Sequence, residues 1–218
     1  MEGSKIVQLR GLLKEQFPEA HADRPHGRDG KVVTGLSALD AIGLEKGVLC
    51  EAVAEQSSQG GALLFTRVLR GLAEQGLYTV FIDGRDALDP QSLGREACRR
   101  LLWVRCVEAA QAIRAADLLL RDGNLPFVLM DLEWNSLREL GRVPSSSWFR
   151  LRSLIEKTGA TLCVLTPTRL ISSAHLRLKL GSTFTTEDLE EQEDKLTDKL
   201  SLMITRHLRG RALAERTG

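Results

Sequence analysis

Between residues 47 and 166 the sequence alternates short apolar runs with amphipathic stretches, and this limits the fold more than any other feature. Val48–Val53, Leu77–Asp83, Leu101–Cys106, Pro126–Leu132 and Ala160–Thr166 are the apolar runs. They have the length and the two-sided hydrophobicity of strands buried on both faces. The stretches between them have helical spacing. In Ala62–Gln75, Leu63, Leu64, Val68, Leu69, Leu72 and Ala73 share one face, and Gly76 supplies the stop. Gln91–Arg100, Val107–Arg121 and Ser145–Lys157 are the further helices, the last capped by Ser145–Ser147 and ended at Thr158-Gly159. Strands that alternate with helices are joined by right-handed crossovers, so the expected fold is α/β with a mostly parallel central sheet flanked by helices.

The ends differ from this pattern. Ser4–Phe17 places Ile6, Leu9, Leu12, Leu13 and Phe17 at helical spacing before Pro18, and a polar stretch follows to Gly30. Residues 1–30 are therefore a helical arm and linker, and those five side chains are candidates for docking on a partner. The core spans 31–182. Val32–Asp40 carries Thr34 and Ser37 as cap residues of a short helix, Ser37–Ile42. Glu133–Pro144 is a polar loop or partial helix. After Pro167, His175–Leu180 alternates Leu176, Leu178 and Leu180 against Arg177 and Lys179, in the manner of an exposed strand. Residues 183–218 hold an acidic connection (Glu187–Asp194), a last strand (Leu200–His207) and a basic tail. The last two strands are expected to pair antiparallel and extend the sheet. Arg206, Arg209 and Arg211 in that tail are the candidate nucleic-acid contacts; a net charge of +1 supplies no bulk basic field, so any such contact is local. The four cysteines, Cys50, Cys98, Cys106 and Cys163, are widely spaced and form no zinc pattern, which fits buried thiols in a reducing cytoplasm. No apolar run suits a signal segment or a membrane span, and a cytoplasmic location is expected. The histidines fit no ligand spacing, and no metal site is expected. Trp134 and Trp148 flank the polar loop and are candidate partner contacts.

The turn from the first core strand into the first long helix is Glu51-Ala-Val-Ala-Glu-Gln-Ser-Ser-Gln-Gly-Gly-Ala-Leu-Leu64. A loop here that grips phosphate reads Gly-x-x-x-x-Gly-Lys-Ser/Thr: its backbone N–H groups wrap the phosphates, its lysine neutralises them and its hydroxyl holds Mg²⁺. In this register Ala54 takes the first glycine, Gln59 the second, Gly60 the lysine and Gly61 the hydroxyl residue. Sliding by one residue does not restore the motif, since no lysine lies between Lys46 and Lys157. Ser57, Ser58, Gln59, Gly60 and Gly61 thus mark a degenerate nucleotide site. A helix N-terminus retains weak attraction for anions, a generic property that does not specify ATP.

Three further stretches carry a family resemblance. Thr34-Gly-Leu-Ser-Ala-Leu-Asp40 looks like the segment before the phosphate loop of the RecA recombinases. Phe81-Ile-Asp-Gly-Arg-Asp-Ala-Leu-Asp-Pro90 closely resembles the RecA stretch Phe-Ile-Asp-Ala-Glu-His-Ala-Leu-Asp-Pro. Leu129-Met-Asp-Leu132 sits where that family has its Walker B aspartate. With Phe149–Leu180 the likeness covers Val32–Leu180. The resemblance implies a RecA-like core, with Asp131 at the metal-holding position. The departures remove its chemistry. Arg85 replaces the glutamate that activates the attacking water, and a cation cannot act as that base. Pro167 stands at the phosphate-sensing glutamine, Pro167–Ala174 is too short and glycine-poor for the second DNA loop, Glu133–Pro144 offers no clear glycine-rich first DNA loop, and the C-terminal domain is missing. Asp131 has neither hydroxyl nor phosphate with which to share an ion, which favours a structural role.

RecA-like chains of this size with an eroded nucleotide site are similar to the ImuA type, grouped with SulA-type division inhibitors. The resemblance implies a non-catalytic protein of the SOS response, without a cofactor. It would act by contact with RecA or with translesion polymerase subunits of the ImuB-like kind, with self-association as a further expectation. An atypical ATPase drawing charge from Arg67 or Arg85, and a SulA-type inhibitor, are the alternatives.

Overall fold

A computed structural model describes residues 30–188 and 193–208 of the chain. Seven strands lie in one sheet: β1 (Leu49–Val53), β2 (Thr79–Asp83), β3 (Leu101–Arg105), β4 (Phe127–Asp131), β5 (Thr161–Thr166), β6 (Leu176–Leu180) and β7 (Leu202–His207), in the order β3-β2-β4-β5-β1-β6-β7. Every neighbouring pair is parallel except β6 and β7, which are antiparallel with a register shift at Arg177/Leu178. The chain is therefore an α/β protein with a mostly parallel sheet and one antiparallel pair at its C-terminal end. β1, β2 and β5 are buried at every position, whereas the edge strand β3 is only partly covered.

Two apolar layers cover the sheet. On one face α2 (Gly61–Glu74) sets Leu64, Phe65, Val68 and Leu72 against Phe81, Leu129 and Leu165. Phe65 and Phe81 meet edge to face, with ring centroids 6.1 Å apart. The short helix α1 (Ser37–Ile42) adds Leu39 to the same layer. Its expected hydroxyl cap is not used. Asp40 instead reaches back, and its Oδ1 accepts from Thr34 N and Thr34 Oγ1, both at 2.7 Å. On the other face α5 (Ala109–Asp122) and α7 (Ser145–Thr158) pack Ile113, Ala116 and Leu120 with Trp148, Leu151 and Ile155 over Val80, Val128 and Val164.

The expected helix Gln91–Arg100 is two short ones, α3 (Pro90–Leu93) and α4 (Arg95–Arg99), because Gly94 between them has φ 76° and ψ 163°, outside the helical region. Asp89 caps α3 by accepting from Gln91 N and Ser92 N, and Pro90 takes the first helical position. Within the polar loop Glu133–Pro144 one turn, α6 (Leu137–Leu140), is helical. The acidic run ends in a short helix, α8 (Glu193–Asp198). β7 belongs to the same sheet as the core and extends it antiparallel to β6. The expected arm Ser4–Phe17, with Ile6, Leu9, Leu12, Leu13 and Phe17, lies outside the described residues, as do Arg209 and Arg211.

Two expectations about exposure are corrected. Trp148 is a core residue, 2% exposed, and presents no contact surface. Arg177, expected on a solvent face, is 4% exposed and lies in a buried ion pair with Glu51. Strand alternation does put it on the face opposite Leu176 and Leu178, but the crossover 167–175 covers that face. The cysteines are free thiols, three of them buried. Burial lowers the pKa of His175, whose Nδ1 accepts the Leu49 N–H at 3.0 Å. Among the described residues no helix is long and apolar enough to cross a membrane.

Candidate functional site

β1 runs up the middle of the sheet and ends at Val53, so the turn into α2 emerges among the carboxyl ends of the parallel strands. That is where open α/β sheets bind their ligands. Ser57–Gln59 form a single 3₁₀ turn closed on itself: Gln59 N donates to Gln56 O at 3.0 Å, and Gln59 Oε1 accepts from Gln56 N at 3.3 Å. Gly60 follows at φ 83°, a left-handed conformation that favours glycine, and α2 starts at Gly61.

The space before this helix N-terminus is filled by the chain itself. A Cβ built on Gly60 would stand 2.6 Å from Phe184 Cε2 and 2.9 Å from Leu200 Cδ2. Phe184 N also donates to Ser58 O at 2.9 Å, so the segment after β6 is tied to the turn by its backbone as well as its ring. A Cβ on Gly61 would stand 2.6 Å from Glu133 Oε2 and 2.8 Å from Leu165 Cδ2. In the register given above, position 60 is the lysine and position 61 the magnesium hydroxyl. A side chain at either position would have to displace these groups: the Phe184 ring and Leu200 at 60, the Glu133 carboxylate and Leu165 at 61. The residues present fit a triphosphate with its metal poorly: in place of a lysine and a hydroxyl they set a phenyl ring and a carboxyl group.

Asp131 closes the site from β4. Its Oδ1 accepts from Glu133 N at 2.9 Å. Burial raises its pKa to about 6, the Glu133 N–H opposes the shift, and Asp83 adds to it. Glu133 is raised to about 7, first by burial and then by the charge on Asp131; its Oε1 is buried with no hydrogen-bond partner among the described residues. Both carboxylates therefore hold protons in the folded chain over a pH range where they lose them on unfolding. With the ordinary values of 4.5 for Glu133 and 3.8 for Asp131 in the unfolded chain, their contribution to stability is complete only below pH 3.8 and is lost as pH rises to about 7. The variant Glu133→Gln should match the wild type at pH 4 and exceed it at pH 8. The gain should be on the order of 1 kcal/mol after allowance for partial exposure, read from urea unfolding at the two pH values. Equal stabilities at pH 8 would contradict the assigned environment.

Arg85 is not aimed at the turn. Its Nη1 donates to Val107 O at 3.0 Å and its Nη2 pairs with Glu139 Oε2 at 2.9 Å. Glu139 is the hub of this contact: its Oε1 also accepts from Ala109 N and from Asn135 Nδ2. Arg85 thus braces the loop after β3 against α6 and brings no free charge to a phosphate. The rest of Phe81–Pro90 is explained by local folding. Asp83, 1% exposed, accepts from Arg85 N, Ala87 N, Leu88 N and Trp103 Nε1, so its carboxylate winds the loop that Asp89 and Pro90 then lead into α3.

The structure thus gathers Ser57–Gly61 and Asp131 at one end of the sheet, adds Glu133, Phe184 and Leu200, and leaves Arg85 to a neighbouring brace. No motif in the sequence marks these three residues. Glu133 lies two residues beyond Asp131 and could have been read as a second carboxylate at the end of β4. Phe184 carries no signal, since its place depends on a contact more than 120 positions away in the chain. Of the tryptophans, Trp134 is 58% exposed beside Leu137 at 63%. Arg206 lies on β7, well separated in sequence from the turn.

What fold and site define together is an α/β protein in which Phe184, Leu200 and Glu133 crowd the two glycines of the turn after β1. No protein-family model and no curated protein matches this chain.

Proposed function

We propose that the chain is a non-catalytic RecA-like protein of the ImuA type. It acts in the DNA-damage response by contact with RecA or with ImuB-like translesion polymerase subunits. The resemblance in Phe81–Pro90 and Thr34–Asp40 supplies the family. The observation that carries the loss of catalysis is the filled turn, with Phe184 and Leu200 against Gly60 and Glu133 against Gly61. A scaffold that cannot seat a triphosphate is left with its surfaces, and the exposed Trp134 and Leu137 offer one on the loops at the carboxyl end of the sheet. The amphipathic stretch Ile6–Phe17 remains the docking element suggested by the sequence.

Co-precipitation tests this reading. The full chain should capture purified RecA or an ImuB-like subunit, and a chain lacking residues 1–30 should capture neither. Failure of the full chain to capture either protein would overturn the proposal. Undiminished capture by the shortened chain would move the docking surface elsewhere, with Trp134 the next residue to replace.

A further inference from the structure

On the face of the sheet that carries α5 and α7, strands β1, β6 and β7 border a groove of about 530 Å³. The chain crosses from β5 to β6 along its side, where Ser172 O accepts from Arg206 Nη1 at 2.7 Å. Val53 and Arg177 are buried at the base. The cations here are unequally committed. Arg177 is neutralised by Glu51 behind it, and Lys179 Nζ pairs with Glu55 at 2.7 Å. Among the described residues Arg206 is held only by the neutral Ser172 carbonyl, and the exposed Arg169 makes no ion pair. Glu55, the carboxylate among the described lining residues, is taken up by Lys179, so the guanidinium groups of Arg169 and Arg206 face the groove without an ion-pair partner among the described residues. Planar guanidinium forks match carboxylates in two-point geometry.

β7 ends the sheet in this direction, so one of its edges carries no neighbouring strand among the described residues. An open edge of this kind accepts an added strand through its backbone groups. Met203, which pairs with Lys179 and so shares the groove's face, is 59% exposed, and Ile204 on the opposite face is 45% exposed. Leu208 adds an apolar contact within the groove. Among the described residues no aromatic ring lines it. Single-stranded nucleic acid is usually held by stacking its bases on such rings, and here it would have only charge.

We propose that this groove and the β7 edge take an extended acidic segment of a partner protein, its backbone alongside β7 and its carboxylates on Arg169 and Arg206. The inference does not depend on the RecA-like reading, since it uses neither the turn after β1 nor the N-terminal stretch.

Fluorescence anisotropy with the full chain and a short labelled peptide of alternating glutamate and valine tests it. Saturable binding is expected, weakening as salt rises. The double variant Arg169→Glu/Arg206→Glu should lose at least about tenfold in affinity, while Arg138→Glu/Arg142→Glu, with the same change in net charge at α6, should bind as the wild type does. Should the first variant fail to fold by circular dichroism, Arg169→Gln/Arg206→Gln removes the charges more gently and should also weaken binding. No saturable binding by the wild type, or equal losses in the two charge-reversed pairs, would overturn the proposal. So would tighter binding of an oligothymidylate of matched charge, which would make the groove a nucleic-acid site.

Discussion

Replacing Glu51 with alanine should cost about 3–5 kcal/mol, the usual penalty for leaving a buried charge without its partner. Glu51 is fully buried in the middle of β1. Its Oε2 lies 2.5 Å from Arg177 Nε, and its Oε1 accepts from Leu170 N at 2.7 Å, Ile171 N at 2.9 Å and Thr166 Oγ1 at 3.3 Å. One carboxylate therefore fixes β6 against β1 and also satisfies two backbone donors of the crossover between β5 and β6. Arg177 donates in turn to Ile171 O at 2.6 Å. Alanine at 51 would orphan those donors and strand a guanidinium that is 4% exposed. A loss of this size is a large share of the 5–15 kcal/mol that roughly bounds the stability of an ordinary domain. Urea unfolding should show a large fall in midpoint with little change in slope. The double replacement Glu51→Leu/Arg177→Met, which removes both charges, should recover much of the loss. A single-variant loss below about 1 kcal/mol, the scale of an exposed ion pair, would show that the network is not buried in solution.

Trp148→Ala should be of similar size, about 3–5 kcal/mol, as for a large aromatic side chain removed from a packed core. Trp148 stands with Leu151 and Ile155 on the inner face of α7, against α5 and the sheet. Trp134→Ala removes the same kind of side chain from an exposed position and should change stability by no more than about 0.5 kcal/mol. Thermal unfolding of the two variants side by side gives the contrast; similar small effects would place Trp148 at the surface. The pair also separates stability from recognition, since only Trp134 is exposed enough to meet a partner.

These two residues show where sequence reasoning reached and where it stopped. Trp148, Leu151 and Ile155 are spaced i, i+3, i+7, the spacing of a buried helical face, and the tryptophan could have been assigned to the core on that ground. Its position at the edge of a polar loop equally suits a surface residue. Glu51 also carried a signal, because a carboxylate inside an otherwise apolar parallel strand must find donors. Which cation it finds depends on β6 lying beside β1, a pairing between positions 126 apart that periodicity does not encode. The strands themselves were legible because burial on both faces leaves continuous apolar runs, and the antiparallel end because Leu176, Leu178 and Leu180 alternate with charges. The filling of the turn after β1 was half legible. The missing lysine and hydroxyl could be read directly from Gly60 and Gly61. The phenyl ring and carboxylate that take up their space come from Phe184 and Glu133, residues with no local pattern to mark them.

Titration calorimetry of ATP with Mg²⁺ into the full chain tests the proposed absence of a working nucleotide site most directly. With Phe184 and Leu200 packed on Gly60 and a carboxylate beside Gly61, no saturable heat is expected. Binding with a micromolar dissociation constant would contradict the filled turn, and with it the reading of this chain as a protein that works through contacts rather than catalysis.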